Sequence, residues 1–147
     1  AFTFARAVPA KDTLDFSFSG LKTAVALQVR DLEKRGELES RKSDLCASIQ
    51  EAIVDQLLSK IATAARSFQC RSLAIVGGVA ANSRLRERLA AEWRSMGIEF
   101  APLFPQLKYC TDNAAMIAAS GLVRHLQGQS LQTEHYLELN AVPYPEV

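Results

Sequence analysis

Histidine and cysteine are scarce in this sequence, which limits the chemistry that the chain can support. It has two histidines, and its three cysteines are Cys46, Cys70 and Cys110. Because the cysteines are odd in number, far apart and never spaced as Cys-x-x-Cys, they argue against a disulfide framework and against a zinc knuckle. His-Glu-x-x-His does not occur, and no serine or cysteine has a nearby histidine pattern. A zinc protease and a serine or cysteine hydrolase therefore have no support.

An excess of one charge and a long apolar run are also missing. The chain has 17 basic and 16 acidic residues and a net charge of +1, so no global field attracts nucleic acid or an anionic membrane. No stretch approaches the run of about eighteen apolar residues that a membrane span needs, and residues 1–6 lack the basic region and apolar core of a signal peptide. These absences predict a cytoplasmic protein that does not associate with membranes.

Apolar residues, by contrast, are plentiful. They make up 48% of the 147 residues, which is enough for the core of one ordinary domain. The chain begins at Ala1 rather than at a methionine and enters strand-like residues almost at once. We therefore expect a fragment, organised as a single partial domain over residues 1–147 with an extended polar tail over residues 129–147.

The first half of the chain predicts one strand followed by two helices. Residues 14–18 alternate between apolar and polar side chains, the period of a half-buried strand. The next apolar residues recur at helical spacing, with Ser19 as the expected N-cap and Gly36 as the expected end. A longer helix is predicted over residues 43–69 and would be about 40 Å long.

The second half predicts strands that alternate with helices. Strands are expected at residues 73–76 and 98–101, and helices at residues 82–97 and 112–127, the last with its apolar side chains facing inward. Alternation of this kind is typical of an α/β fold with a parallel sheet. The fold class predicted is therefore α/β, helix-rich, with a small and mostly parallel sheet.

Gly77 and Gly78 mark the first candidate site. They end an apolar strand-like run, and a charged amphipathic segment begins after Asn82. Glycines at the carboxyl end of a buried strand let a ligand approach the backbone, and a helix capped by Asn82 or Ser83 presents amides to an anion. A nucleotide or phosphate cradle fits this pattern, and so does an ordinary α/β turn.

Asp112 is the second candidate. At the start of a predicted helix, it is either an N-cap or a carboxylate ligand for a divalent metal or a nucleotide phosphate. A metal needs further ligands, and His125 lies about 20 Å away on the same helix. No metal site can be completed from this helix alone.

Basic residues near these motifs give weaker signals. Arg84 and Arg88 share a helix face beside the glycines and are candidates for RNA phosphate contacts, whereas Arg86 lies roughly opposite and fits a plain charged surface. Lys22 fits a solvated helix lysine better than a phosphate ligand.

Three sequence blocks, taken in order, resemble one known family. They are Asp15–Ala24 (DFSFSGLKTA), Val76–Asn82 (VGGVAAN) and Cys110–Ala118 (CTDNAAMIA). Together they closely resemble the C-terminal part of the tRNA N6-adenosine threonylcarbamoyltransferase family, formerly called O-sialoglycoprotein endopeptidase. The resemblance implies the actin-like ATPase fold, of which this chain would be most of the second lobe.

The resemblance also implies a reaction and a set of site residues. Members transfer a threonylcarbamoyl group from threonylcarbamoyl-adenylate to N6 of the adenosine 3′ of the anticodon, in tRNAs that read codons starting with A. By resemblance, Asp112 matches the aspartate that ligates an active-site iron or zinc, which would polarise the carbamoyl carbonyl. Asn82 matches the asparagine that holds the adenylate, and Gly77 and Gly78 would line the same nucleotide site, which takes threonylcarbamoyl-adenylate or ATP. The implied partners are tRNA, a paralogous actin-like dimerisation partner and a small ATPase.

Two departures from the family pattern leave other functions open. The family's paired metal histidines and a glycine-rich loop belong to an N-terminal half absent from this chain, and the expected arginine-and-tryptophan segment is not found, where residues 139–145 read LNAVPYP. The alternatives are an O-carbamoyltransferase that acts on a small molecule and a non-catalytic interaction lobe of the transferase complex. Retention of both Asn82 and Asp112 argues against a pure scaffold.

Overall fold

A computed structural model describes residues 2–4 and 13–129 of the chain. The helices of these residues are α1 (Ser19–Arg35), α2 (Leu38–Phe68), α3 (Ser83–Glu92) and α4 (Ala114–Leu126), with short 3-10 helices at Gly78–Ala81, Trp93–Met96 and Leu107–Tyr109. The chain forms two compact units, residues 1–110 and residues 111–147. Within the described ranges, no helix has the length and apolar character needed to cross a membrane.

The predicted strand at residues 14–18 is wrong, because the described residues offer no neighbouring strand to complete its hydrogen bonds. The segment is held instead by two buried polar side chains of α2. Gln56 Nε2 donates to the carbonyl of Ser17 at 3.0 Å, and Lys60 Nζ donates to the carbonyl of Thr13. Alternation alone therefore does not distinguish a strand from an exposed segment that side chains anchor.

Helix α1 ends where the sequence predicts and begins differently. Gly36 has a φ of 68°, and the N–H of Glu37 donates to the carbonyl of Leu32 at 2.9 Å, which closes the helix with a left-handed glycine. The prediction of Ser19 as N-cap is wrong, since Phe18 occupies the cap position without a side-chain hydrogen bond. Buried Leu21 and Leu32 of α1 belong to the apolar core of the chain.

Helix α2 is the longest element of the described residues and provides much of the core. It starts at Leu38, earlier than predicted, and ends at Phe68, where Gln69 adopts a φ of 49°. Its 31 residues span about 46 Å. One face of α2 packs against α3 and the residues after it, and the buried cluster comprises Val54, Leu58, Ala65, Leu85, Leu89, Met96 and Ile98.

The small parallel sheet is not confirmed in the described residues. What forms is one isolated parallel bridge, between Ala74 and Leu103. The N–H of Ile75 donates to the carbonyl of Leu103 at 3.0 Å, and the N–H of Leu103 donates to the carbonyl of Leu73 at 2.8 Å. The pairing thus lies beyond the strand predicted at residues 98–101. Two short segments cannot make a stable sheet without further strands beside them.

Helix α4 forms where predicted, although it starts two residues later, but it lacks its predicted burial. It runs from Ala114 to Leu126, and none of its residues is buried. Ile117 is 65% exposed and Leu122 is 58% exposed, although the sequence pattern predicts that both face inward. Within residues 111–129 there is no second helix or strand against which an apolar stripe could pack. The predicted tail, residues 129–147, lies outside the described residues except for Gln129.

Candidate functional site

The glycine turn, defined here as residues 77–81, follows the bridged segment directly. Gly77 has a φ of 82° and a ψ of 179°, a backbone conformation that L side chains rarely adopt. The carbonyl of Gly77 accepts from the N–H of Ala80 at 3.0 Å and so closes the 3-10 turn. A Cβ added at Gly77 or Gly78 would meet no atom within 4 Å, so at Gly77 the need for glycine comes from the backbone angle.

Asn82 caps α3 and is one of the two caps that the sequence predicts. Its Oδ1 accepts from the backbone N–H of Leu85 at 2.9 Å, which satisfies one of the free amides at the helix start. Leu85 and Leu89 are almost fully buried and fix α3 against α2. The side chain of Asn82 is thus held in place by the same residues that build the core.

An apolar cavity of about 270 Å³ lies between α2 and the glycine turn. Its lining residues are Cys46, Ile49, Gln50, Ile53, Val54 and Leu57 from α2, and Val79, Asn82 and Leu85 from the opposite side. Ligand sites in proteins are often of this kind, mostly apolar with a few fixed polar groups. The cavity can accept a flat apolar ring, with the amide of Asn82 as a polar contact.

The sequence pattern does not reveal the α2 wall of this cavity. Ile49 and Ile53 recur at helical spacing and so fit a core stripe, yet both are only half-buried and line the cavity. A core side chain and a cavity side chain give the same period of 3.6 residues. The position of the glycine turn opposite α2 shows that these side chains line a cavity and are not packed in the core.

Arg84 and Arg88 fasten α3 to α2. Arg84 binds Glu51, and Arg88 Nη1 lies 2.8 Å from Glu51 Oε2 and 3.1 Å from Asp55 Oδ1. The hydrogen bond from Arg84 holds the pKa of the Glu51 carboxyl below its ordinary value, against a smaller opposing effect of desolvation. Because carboxylates of α2 already engage both guanidinium groups, the geometry gives no support to the RNA contacts considered for them.

The prediction that Arg86 lies on a plain charged surface is wrong. Its guanidinium donates to the carbonyl of Ala80 and, at 2.9 Å, to the carbonyl of Pro105. The same group lies 4.8 Å from the centre of the Phe104 ring and 3.3 Å from the sulfur of Cys110. Helical spacing correctly separates Arg86 from Arg84 but cannot show that the glycine turn and the residues after Pro102 fold over it.

Asp112 does not cap α4, so the N-cap interpretation of this residue is wrong. The cap is Asn113, whose Oδ1 accepts from the N–H of Met116 at 3.0 Å. The side chain of Asp112 is exposed and belongs to the second unit, whereas Asn82 and the glycine turn belong to the first. His125 lies in the last turn of α4, as predicted.

The described residues do not by themselves fit a metal site. In residues 2–4 and 13–129, no group of three or more histidine, cysteine, aspartate or glutamate side chains is arranged to hold an ion. A protein metal site needs several such ligands. Asp112 can supply one ligand of a divalent ion at most.

Comparison with known proteins identifies the family. The family described as tRNA N6-adenosine threonylcarbamoyltransferase matches residues 1–119. The chain belongs to the tRNA N6-adenosine threonylcarbamoyltransferase family. The resemblance carried by the three sequence blocks is thereby confirmed, and membership implies the actin-like ATPase fold. Gly77, Gly78, Asn82 and Asp112 all fall within the matched residues.

Relatives that carry the same name are similar over most of the chain. The protein of Limosilactobacillus fermentum is 44% identical over 142 residues, which cover 97% of this chain and 40% of the relative. The protein of Bdellovibrio bacteriovorus is 47% identical over 131 residues, covering 88% of this chain and 36% of the relative. The chain therefore spans about two-fifths of the length of these threonylcarbamoyltransferases.

Proposed function

We propose that this chain is the second lobe of a tRNA N6-adenosine threonylcarbamoyltransferase, a partial domain over residues 1–147. The whole enzyme transfers the threonylcarbamoyl group of threonylcarbamoyl-adenylate to N6 of the adenosine 3′ of the anticodon, in tRNAs that read codons starting with A. The observation that carries the proposal is the identity of 44–47% to transferases of that name over 88–97% of the chain. A tRNA substrate favours activity in the cytoplasm.

The glycine turn and Asn82 form this lobe's share of the adenylate site. The purine fits the apolar cavity, where Ile49 and Ile53 offer a flat apolar surface, and the Asn82 amide supplies a hydrogen bond. Gly77 and Gly78 place main-chain groups where a side chain would otherwise stand, which suits a phosphate. ATP, which shares the adenosine phosphate part of the adenylate, is the second expected ligand.

In the reaction, the lobe has to hold the adenylate while the carbamoyl carbon is transferred from the phosphate oxygen to the N6 amine. The N6 amine of adenosine attacks the carbamoyl carbon, the bond from that carbon to the phosphate oxygen breaks, and AMP leaves with the bonding electrons while the amine loses a proton. Donors held close to the leaving phosphate stabilise its developing charge. The preset backbone of the glycine turn is suited to that role because it needs no rearrangement during the reaction.

Asp112 is proposed as one ligand of a divalent iron or zinc ion. The described residues hold no group of three ligands, so part of the ligand set has to come from outside them. The partners proposed are tRNA, a paralogous actin-like subunit and a small ATPase, and all three follow from family membership alone.

A chimaera tests the proposal. This chain replaces the segment that it matches in the Limosilactobacillus fermentum relative, 40% of that protein. With the partner subunits of that relative supplied, we expect threonylcarbamoyladenosine to form in tRNA, measured by mass spectrometry of nucleosides. The intact relative is the positive control. A folded chimaera that binds ATP but leaves tRNA unmodified would reject the proposal and favour a small-molecule acceptor or a non-catalytic lobe.

A further inference from the structure

We propose that Arg86 is a positioning residue, which holds the glycine turn of the adenylate site against the segment that leads to Asp112. The proposal rests on the proposed function and adds to it a residue that touches neither substrate nor metal. The evidence for it is the set of groups that the Arg86 guanidinium contacts.

The first set of contacts reaches the glycine turn. Arg86 Nε donates to the carbonyl of Ala80, whose own side chain is completely buried. Ala80 lies in the 3-10 turn that Gly77 opens. The hydrogen bond thus joins a side chain of α3 to the main chain of the preceding turn. It therefore restricts the movement of the glycine turn.

The second set reaches the chain that follows the parallel bridge. Arg86 Nη2 donates to the carbonyl of Pro105 at 2.9 Å and lies 3.3 Å from the sulfur of Cys110, which is only 2% exposed. The guanidinium also lies over the ring of Phe104. Cys110 is the last residue of the first unit, and Asp112 follows it by two positions in the sequence. Arg86 therefore fixes the point from which the chain continues to Asp112.

The chemistry of the contacts favours arginine over any other cation. A guanidinium is a rigid planar fork that can donate in two directions while its face rests on an aromatic ring, whereas the lysine ammonium is a point charge on a flexible stem. Arg84 and Arg88 bind carboxylates, but the partners described for Arg86 are two carbonyls, a thiol and a ring, none of which is an anion. Its positive charge therefore also favours an anion at the adjacent turn.

The restraint is measured by the reactivity of the Cys110 thiol in the 147-residue chain. In a Cys46→Ser, Cys70→Ser background, Arg86→Ala should raise the rate of Cys110 alkylation by iodoacetamide about tenfold, because the hydrogen-bonded segment opens. Arg86→Lys should raise this alkylation rate less. Arg94→Ala is the matched control, since it removes the same charge from an exposed position nearby, and it should leave the rate unchanged. An unchanged rate in Arg86→Ala would overturn the proposal.

A second background separates local opening from unfolding. In Cys46→Ser, Cys110→Ser, the remaining thiol is Cys70, which is half-buried at the end of α2. Its alkylation rate should be the same with and without the Arg86→Ala substitution, since Cys70 does not contact Arg86. Equal acceleration of Cys70 and Cys110 would mean general unfolding and would also overturn the proposal.

The positioning role is measured in the chimaera. Arg86→Ala should raise the KM for threonylcarbamoyl-adenylate about tenfold with a smaller change in kcat, and Arg86→Lys should recover part of the loss. An active parent chimaera whose KM is unaffected by Arg86→Ala would reject the positioning role and leave the proposed function intact. An inactive parent chimaera would instead reject the proposed function, and the positioning role with it.

Discussion

Asn82 Oδ1 accepts the N–H of Leu85 at 2.9 Å, while the same side chain lines the apolar cavity opposite α2. The oxygen is committed to the helix cap, and within the described residues no hydrogen bond occupies the Nδ2 hydrogens. The amide nitrogen is therefore the part of this side chain that can donate to a ligand in the cavity.

Two substitutions of Asn82 should separate these roles. Asn82→Asp keeps a good capping oxygen, so the free energy of unfolding should change by less than about 0.5 kcal/mol, whereas Asn82→Ala should lose about 1 kcal/mol. Both should abolish activity of the chimaera, because the donor is lost and aspartate adds a charge that repels phosphate. Urea denaturation and the tRNA assay measure the two effects. If the Asn82→Asp variant is active, the Asn82 amide is not a required donor in the adenylate site.

Gly77 and Gly78 should respond differently to alanine. Gly77→Ala places a side chain at a φ of 82° and should destabilise the chain by about 1–3 kcal/mol. Gly78 has neither a positive φ nor a close neighbour, so Gly78→Ala should leave the urea midpoint nearly unchanged. If the phosphate approaches the backbone at this turn, Gly78→Ala should still weaken ATP binding, which calorimetry would detect. Equal stability losses at both positions would contradict the backbone argument.

The ion pair that joins α2 to α3, and the one between Arg88 and Glu92 within α3, should weaken in acid. Hydrogen bonds from Arg84 and Arg88 hold the pKa values of the Glu51 and Glu92 carboxyls below the ordinary 4.5. The folded state therefore binds fewer protons than the unfolded state, and this contribution is fully present above about pH 4.5 and is lost as the pH falls through the lowered pKa values. Both carboxylates are about two-fifths exposed, so solvent screening keeps the effect small.

Urea unfolding between about pH 3 and pH 7 measures this dependence. Glu51→Gln should flatten the acid limb of the stability curve because it removes one of the titrating groups. Glu39→Gln is the matched control, since Glu39 forms a well-exposed pair with Lys42 that contributes little to stability. Identical curves for Glu51→Gln and the parent chain would contradict the role given to this ion pair.

Substitutions of Asp112 and Asn113 should separate metal binding from helix capping. Asn113→Ala should cost about 1 kcal/mol of the stability of α4, because it removes the cap, whereas Asp112→Asn should cost almost none. In the chimaera, Asp112→Asn should lose bound metal and Asn113→Ala should keep it. Elemental analysis and circular dichroism of the same samples give both readouts. Full metal content in Asp112→Asn would exclude Asp112 as a ligand.

The end of α1 and the cap of α3 were predictable because their causes are local. Gly36 stops α1 through its own φ, and Asn82 caps α3 through an N–H three residues away. Both depend on residues within one helical turn, so the sequence contains the whole cause. Family membership was predictable for a different reason, since three ordered blocks were similar to a known pattern. The site residues drawn from that pattern, Asn82 and Asp112 among them, stay predictions.

What could not be predicted depends on partners distant in sequence. Residues 14–18 alternate as a strand does, but a strand forms only beside another strand. Arg86 looked like a surface residue because its partners Pro105 and Cys110 come much later in the chain. In the same way, the apolar stripe of α4 indicated a buried face, but burial requires an opposing element, and residues 111–129 contain none.

The single bridge between Ala74 and Leu103 leaves main-chain groups at the outer edges of both segments without a neighbouring strand among the described residues. Val76 and Leu103 beside them are 73% and 65% exposed. Open, apolar strand edges recruit other strands and are a common route to aggregation. Self-association that grows with concentration is therefore expected of this chain in isolation. A strand that covers these edges would make the chain more soluble as well as extend the single bridge into a sheet.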